Sequence, residues 1–275
     1  MTCERWLGID FSGNDAMWRH GCTRSNVWIA DVRPGPGLPI LRGLVRVQDL
    51  PGSEPPFNRL ASLLAGGDFL SAAIDAPFSL PAGFVQRVGG HRALLDLVGS
   101  VVSPGRNFQR GGALVELVAG VAPPLDPKKP LRATEESWRK LGVNVRSTLW
   151  AGARGGAPMT AACLALLHLA RKPLWPWSFD EPGNLAEAFP AAQLQTWGLP
   201  FEGYNGATAS AVARRSEILR FLAQRVDLGP WSKTLLSSAD ALDAVLCAFA
   251  AISRHAPPAD VLAVSRLEGW IATSP

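Results

Sequence analysis

The chain opens on short apolar runs broken by turn-forming clusters, the pattern of strands rather than of long helices. Positions 6–11 (WLGIDF) stop at Ser12-Gly13-Asn14-Asp15, and positions 26–32 (NVWIADV) stop at Arg33-Pro34-Gly35-Pro36-Gly37. Positions 40–47 alternate imperfectly through Leu41, Val45 and Val47. Three strands joined by turns predict an antiparallel meander. The period then changes: Leu60, Leu63 and Leu64 stand at helical spacing within 57–64. Positions 69–76 (FLSAAIDA) return to a strand of small residues, ending at Pro77.

From 79 to about 140 the pattern loses regularity, being rich in Gly, Pro and Arg. It reads as part of an insertion, about 79–180, with short helices at 90–98 and 113–119. An apolar helix is predicted over 157–170 and a fifth strand over 184–189 (NLAEAF), before Pro190. Long helices follow over 207–225 and 239–255. The predicted class is α/β: a five-stranded mixed sheet with strands one to three antiparallel, strands one, four and five parallel, and helices around it.

Composition narrows the picture. A chain of 275 residues with 47% hydrophobic and 18% charged positions can fill a core, and 1–275 is expected to form one domain around the insertion. The net charge of +4 neither demands nor opposes a nucleic-acid partner. The four cysteines are far apart with no CxxC pair, which argues against a disulfide framework or a cysteine zinc site and for a reducing cytoplasm. Glu4, Arg5 and Asp10 stand where a signal peptide needs an apolar run, and no run approaches a membrane span, so no membrane partner is expected. The four histidines are scattered; a catalytic metal would have to be held by carboxylates.

The carboxylates carry the functional argument. Gly8-Ile9-Asp10 and Ala73-Ile74-Asp75 repeat one local pattern at the ends of two strands. Period two puts each Asp on the face of its small neighbour and turns each Ile to the other face. The small residues are expected to leave room for an ion or a substrate. An Asp in an apolar strand is costly unless paired or metal-bound, although Asp also caps turns and helices. Asp240 and Asp243, at i and i+3, share one face of the last long helix, where the helix dipole accounts for one acid more readily than for two. Glu187, in NLAEAF, is a fifth candidate that an edge strand could also tolerate.

These residues resemble the RNase H-like (retroviral-integrase) superfamily, and the paired aspartates of the last helix resemble its Holliday-junction resolvases. More narrowly, GIDFSG at 8–13, AIDAPFSLP at 73–81, EAFPA at 187–191, DALDAVLCA at 240–248 and EGWI at 268–271 look like the family catalogued as domain of unknown function 429, described as predicted RNase H-like nucleases. The resemblance implies an RNase H-like fold and Asp10, Asp75, Glu187, Asp240 and Asp243 as the acidic site of a metal-dependent nuclease. Mg²⁺ and Mn²⁺ prefer oxygen ligands. Two such ions can clamp an in-line phosphoryl displacement, with Asp10 shared between them and Asp75, Asp240 and Asp243 completing the shells. Without metal, such acids repel, and raised pKa values are expected. DNA and RNA are not distinguished. A resolvase-like activity would call for a homodimer, and no dimer surface is legible.

Arg106, Arg110 and Lys233 are the candidate substrate contacts, with Arg146, Arg154, Lys128 and Lys129 as further basic positions. Each alone reads more readily as a solvated charge. Ten tryptophans, among them Trp28, Trp150, Trp175, Trp177 and Trp231, could stack on bases but serve more often in cores. Two other classes stay open. A non-catalytic binding or scaffold module could keep the acids. An actin- or sugar-kinase-like ATP-dependent phosphotransferase also ends its first strand in Asp before a Gly turn, here Asp10 to Gly13, but needs a second core and a late phosphate loop.

Overall fold

The computed structural model describes residues 4–101, 105–121, 130–152, 155–178 and 181–275, so Lys128, Lys129 and Arg154 lie outside the described residues. The alternating segments become β1 (Trp6–Asp10), β2 (Trp28–Arg33) and β3 (Ile40–Arg46), paired antiparallel in sequence. Helix α1 (Pro56–Gly66) carries the chain across to β4 (Ser71–Ile74), which lies parallel to β1. Five helices then intervene: α2 (Ala82–Arg87), α3 (His91–Ser100), α4 (Gly111–Val121), α5 (Ala133–Lys140) and α6 (Ala157–Ala170). Strand β5 (Asn184–Glu187) closes the sheet parallel to β4, giving the order β3-β2-β1-β4-β5. The mixed sheet and the place of the long β4–β5 connection are as the pattern predicts.

After β5 come α7 (Pro190–Thr196), α8 (Ala209–Leu222), α9 (Ser232–Ser237), α10 (Ala239–Ile252) and α11 (Leu262–Glu268). Helix α10 begins where expected because Ser238 caps it, its hydroxyl accepting from the Ala241 amide at 3.2 Å. It ends three residues before 255 because His255 has left to donate its amide to the Thr273 carbonyl. Helix α8 starts late for a similar reason, with Thr208 as its cap. Among the described residues, no helix is long and apolar enough to cross a membrane.

The sheet has two unlike faces. On one, Leu7, Ile9, Ile29 and Ile74 join Leu60, Leu64, Leu94, Leu164 and Leu167 of α1, α3 and α6 in a core of large side chains. Fully burying each such side chain stabilises by about 1.5–3 kcal/mol. On the other, Ala30, Gly8, Ala73 and Ala186 form one register row across β2, β1, β4 and β5. Helix α10 lies on that row through Ala244, Cys247, Ala248 and Ala251, all buried. A Cβ placed on Gly8 would stand 2.8 Å from the Ala248 Cα, inside any real contact distance.

This corrects the expectation that the small residues leave room for an ion or substrate: the helix backbone fills that room. The packing still serves the site. It seats α10 close to the sheet, so its first turn overhangs the ends of β1 and β4. A side chain at position 8 would push away the helix that carries Asp240 and Asp243.

Candidate metal centre

Two residues beyond the small row, Gly8 and Ala73 give way to Asp10 and Asp75. Asp10 ends β1, and Asp75 follows β4 with its amide donated to the Ile9 carbonyl at 2.9 Å. Both occur at the C-terminal ends of parallel strands, where open α/β sheets present their ligands. Asp240 is in the first turn of α10 and Asp243 is one turn further on. Four of the five predicted acids therefore meet at one end of the sheet under the start of one helix.

Their electrostatics are those of a cluster only partly compensated. Asp10 is 5% exposed and its Oδ2 has no hydrogen-bond partner. Burial drives its pKa well above the usual carboxylate value, and the charges of Asp243, Asp75 and Asp240 raise it further. Asp75 is pushed up to about 7, by burial and then by Glu187. Asp243 is raised by burial and by Asp75. Asp240 is raised by burial, with Arg46 opposing. As the side chains stand they flank a common region without closing on one point: among the described residues, no group of three or more acidic, His or Cys side chains is arranged to hold an ion.

A residue that the sequence did not single out completes the cluster. Tyr204, the only tyrosine of the chain, donates its hydroxyl to Asp243 Oδ1 at 2.8 Å. Buried Arg215 of α8 fixes Tyr204 through the backbone, donating Nη1 to the Tyr204 and Gly206 carbonyls and Nε to the Leu236 carbonyl. A lone tyrosine in a Gly/Asn-rich loop, so far from Asp243 along the chain, gave no local signal.

Glu187 belongs to a different group. It pairs in register with Ile74, which directs it to the Ile74 face of β5, although at the strand ends it still borders one cleft with Asp75. Although β5 is an edge strand, Glu187 is buried, with both oxygens taken. Arg132 donates Nη1 to Oε2 at 2.7 Å and Nη2 to Oε1 at 2.5 Å, and the Phe78 amide donates to Oε2 at 3.0 Å. Arg132 also grips Glu135 through Nε at 3.0 Å and reaches the Glu268 carbonyl at 3.2 Å. The Glu268 carboxylate in turn accepts the amides of Ala82 and Ala133. Burial opposes the Arg132 charge, but Glu187 and Glu135 hold it protonated far above its ordinary range. The loop after β4 is thus tied by Glu187 at the Phe78 amide and by His91, whose Nε2 meets the Phe78 carbonyl at 2.7 Å.

Two clefts flank the acids. The first, about 310 Å³, runs from Asp75 past Arg132, Arg146, Glu187 and Phe189. The second, about 510 Å³, runs from Asp240 past Trp28, Arg46, Asn205 and Thr234. The predicted substrate contacts line neither: Arg106 turns Nε onto the Phe108 carbonyl, Arg110 is exposed before α4, and Lys233 is exposed on α9. Trp175 is core, and Trp177 stacks on His91 with centroids 3.9 Å apart. Gly13 has a packing explanation, since a Cβ there would stand 2.5 Å from the Pro158 carbonyl carbon at the start of α6.

A family model described as "Protein of unknown function (DUF429)" matches residues 55–260, well over half of the chain. The chain belongs to that family. The matched span holds Asp75, Glu187, Asp240 and Asp243 and begins after Asp10. No curated protein and no solved structure matches the chain.

Proposed function

We propose that the protein is a metal-dependent nuclease of RNase H-like fold, hydrolysing phosphodiester bonds of nucleic acid at the Asp10–Asp75–Asp240–Asp243 centre with Mg²⁺ or Mn²⁺. The observation that carries this is the Asp10 carboxylate. It is buried among three other acids with Oδ2 unpartnered, an arrangement that is costly for the protein unless a cation completes it. The donor set is all carboxylate oxygen, which suits hard divalent ions. Asp10, Asp75, Asp240 and Asp243 would hold the metal, which when bound supplies Lewis-acid polarisation of a phosphoryl oxygen and an activated water.

The chain's own residues do the rest. Tyr204 keeps one Asp243 oxygen engaged and so orients the other. Glu187 and His91 hold the Phe78 backbone and thereby the loop that carries Asp75. We place Glu187 as a positioning residue rather than a metal ligand, because Arg132 already neutralises it. The clefts on either side of the acids give a strand an entry and an exit.

Titration calorimetry with Mg²⁺ and Mn²⁺, on the wild type and Asp10→Asn, tests the reading together with cleavage of a mixed DNA and RNA panel. The expected result is binding and metal-dependent cleavage in the wild type, both lost in the variant. A wild type that binds neither ion at millimolar concentration would overturn the metal mechanism and favour a non-catalytic module.

A further inference from the structure

The second cleft adjoins the acids but contains none of the predicted substrate contacts. Register explains how it comes to be there. Arg46 pairs with Trp28 across β3 and β2, and Trp28 pairs with Asp10 across β2 and β1. Directly opposed residues share a face, so Arg46, Trp28 and Asp10 form one row leading to the acids. At one strand spacing per step, Arg46 is roughly 10 Å from Asp10. The far wall consists of Asn205, Thr234 and Ser237 beside the start of α10. Arg215 builds that wall, since it ties the loop at Tyr204 and Gly206 to Leu236.

The chemistry of the lining is specific. Arg46 donates Nη1 to the Thr23 carbonyl at 3.0 Å and lies over the Trp28 ring at 5.1 Å. Its hydrogen bond is to a neutral acceptor, and its Nε has no partner. The guanidinium acts on Asp240, whose pKa it lowers against the effect of burial, and together with that acid lines a cleft of hydroxyl and amide groups, its own Nε being buried. A ligand matched to that lining carries an anionic group next to a hydrogen-bonding sugar.

Resting on the nuclease reading, we infer that this cleft is a subsite for the nucleotide adjacent to the scissile phosphodiester. Arg46 contacts its phosphate, and Asn205, Thr234 and Ser237 contact its sugar. The substrate must then extend past the cleaved bond on the Asp240 side, and Arg46 rather than Arg106, Arg110 or Lys233 is the main phosphate contact there.

The test is fluorescence anisotropy of a labelled single-stranded 12-mer, as DNA and as RNA, in an Asp10→Asn background that prevents cleavage. Adding Arg46→Ala should weaken binding about tenfold and lower the slope of log affinity against log salt by about one. Arg46→Lys should keep most of the slope, and Arg106→Ala should change neither quantity. Thr234→Val, which leaves the Arg46–Trp28 contact intact, should weaken binding about threefold even if Arg46→Ala proves unstable. Unchanged affinity in both Arg46→Ala and Thr234→Val overturns the subsite. Cleavage of the same oligomer by the Mn²⁺-loaded wild-type background separates the two ideas. Cleavage that is indifferent to Arg46 removes the subsite and leaves the nuclease. Arg46-dependent binding without cleavage removes the nuclease and leaves the cleft as a nucleotide-binding site without a scissile bond beside it. Neither binding nor cleavage removes both.

Discussion

The same end of the sheet holds two groups of buried carboxylates, and the chain treats them in opposite ways. Glu135, Glu187 and Glu268 surround Arg132, and each finds a guanidinium or backbone N–H. Among the described residues, Asp10, Asp75 and Asp243 have no such cation, and Asp10 keeps an oxygen without a partner. Burial is common to both groups, so burial does not distinguish a structural acid from a functional one. What distinguishes them is where the counter-charge comes from. The Arg132 group is complete within the fold, whereas the Asp10 group is a standing electrostatic cost that an external cation would relieve.

The sharpest way to break this contrast is Arg132→Ala. It strands two buried glutamates without their cation and should destabilise by about 3–5 kcal/mol. In a chain of this size that lowers Tm by roughly 10 °C, readable in a thermal melt. Asp10→Asn should act with the opposite sign in metal-free protein at pH 8, because it removes a carboxyl whose ionisation burial and its acidic neighbours oppose. A gain of about 1–2 kcal/mol is expected by denaturant unfolding in chelator. If Asp10→Asn is as damaging as Arg132→Ala, the two groups are both structural and the contrast fails.

Acidity sharpens it further. Asp10, Asp75 and Asp243 have pKa values above those of an unfolded chain, so the native state holds protons that the unfolded state has released. Their contribution is full below about pH 4 and is lost as pH rises through the native values, about 7 for Asp75. His91 works the other way. Burial lowers it to about 4, so it favours the native state above pH 6.5 and loses that contribution on acidification. Between pH 6.5 and 7.5 the carboxylate effect outweighs the fading tail of the His91 titration, and metal-free Tm should fall across that window. Mn²⁺ competes with those protons, so its stabilisation should be larger at pH 8 than at pH 5 by scanning fluorimetry. A metal shift independent of pH would place the ion elsewhere.

The sheet was legible because its strands announce themselves locally. The order follows from two antiparallel connections, one helix crossover and the Asp-ended strands, and helix α6 is predicted at its observed limits of Ala157–Ala170. The acids were legible for the same reason, each lying within a few residues of its strand end or helix start. What local pattern could not show were partnerships across the chain. Arg132 meets Glu187 over 55 residues and Ala82 meets Glu268 over 186. The sequence offered Glu187 as a site acid because nothing near it revealed its arginine. Gly8 and Ala73 were legible as small but not as a seat for α10, since what fills the space above a strand depends on a helix far along the chain. Arg46 was hidden likewise, a basic strand end that only the strand register, through Trp28, sets in one row with Asp10.

The smallest expected effect probes how finely the unfinished group is tuned. Tyr204→Phe removes one hydrogen bond to Asp243 and should cost about 1 kcal/mol or less in stability. The metal should feel it more. That hydroxyl lowers the Asp243 pKa and leaves Oδ2 the freer oxygen, so its loss should weaken Mn²⁺ binding about threefold to tenfold. Because Tyr204 is the sole tyrosine, a ring-¹³C label gives one resonance beside the site. Mg²⁺ should move that resonance in the wild type and leave it unmoved in Asp10→Asn. A resonance indifferent to Mg²⁺ in both would mean that Asp243 belongs with the glutamates around Arg132, held by the fold for the fold's own sake.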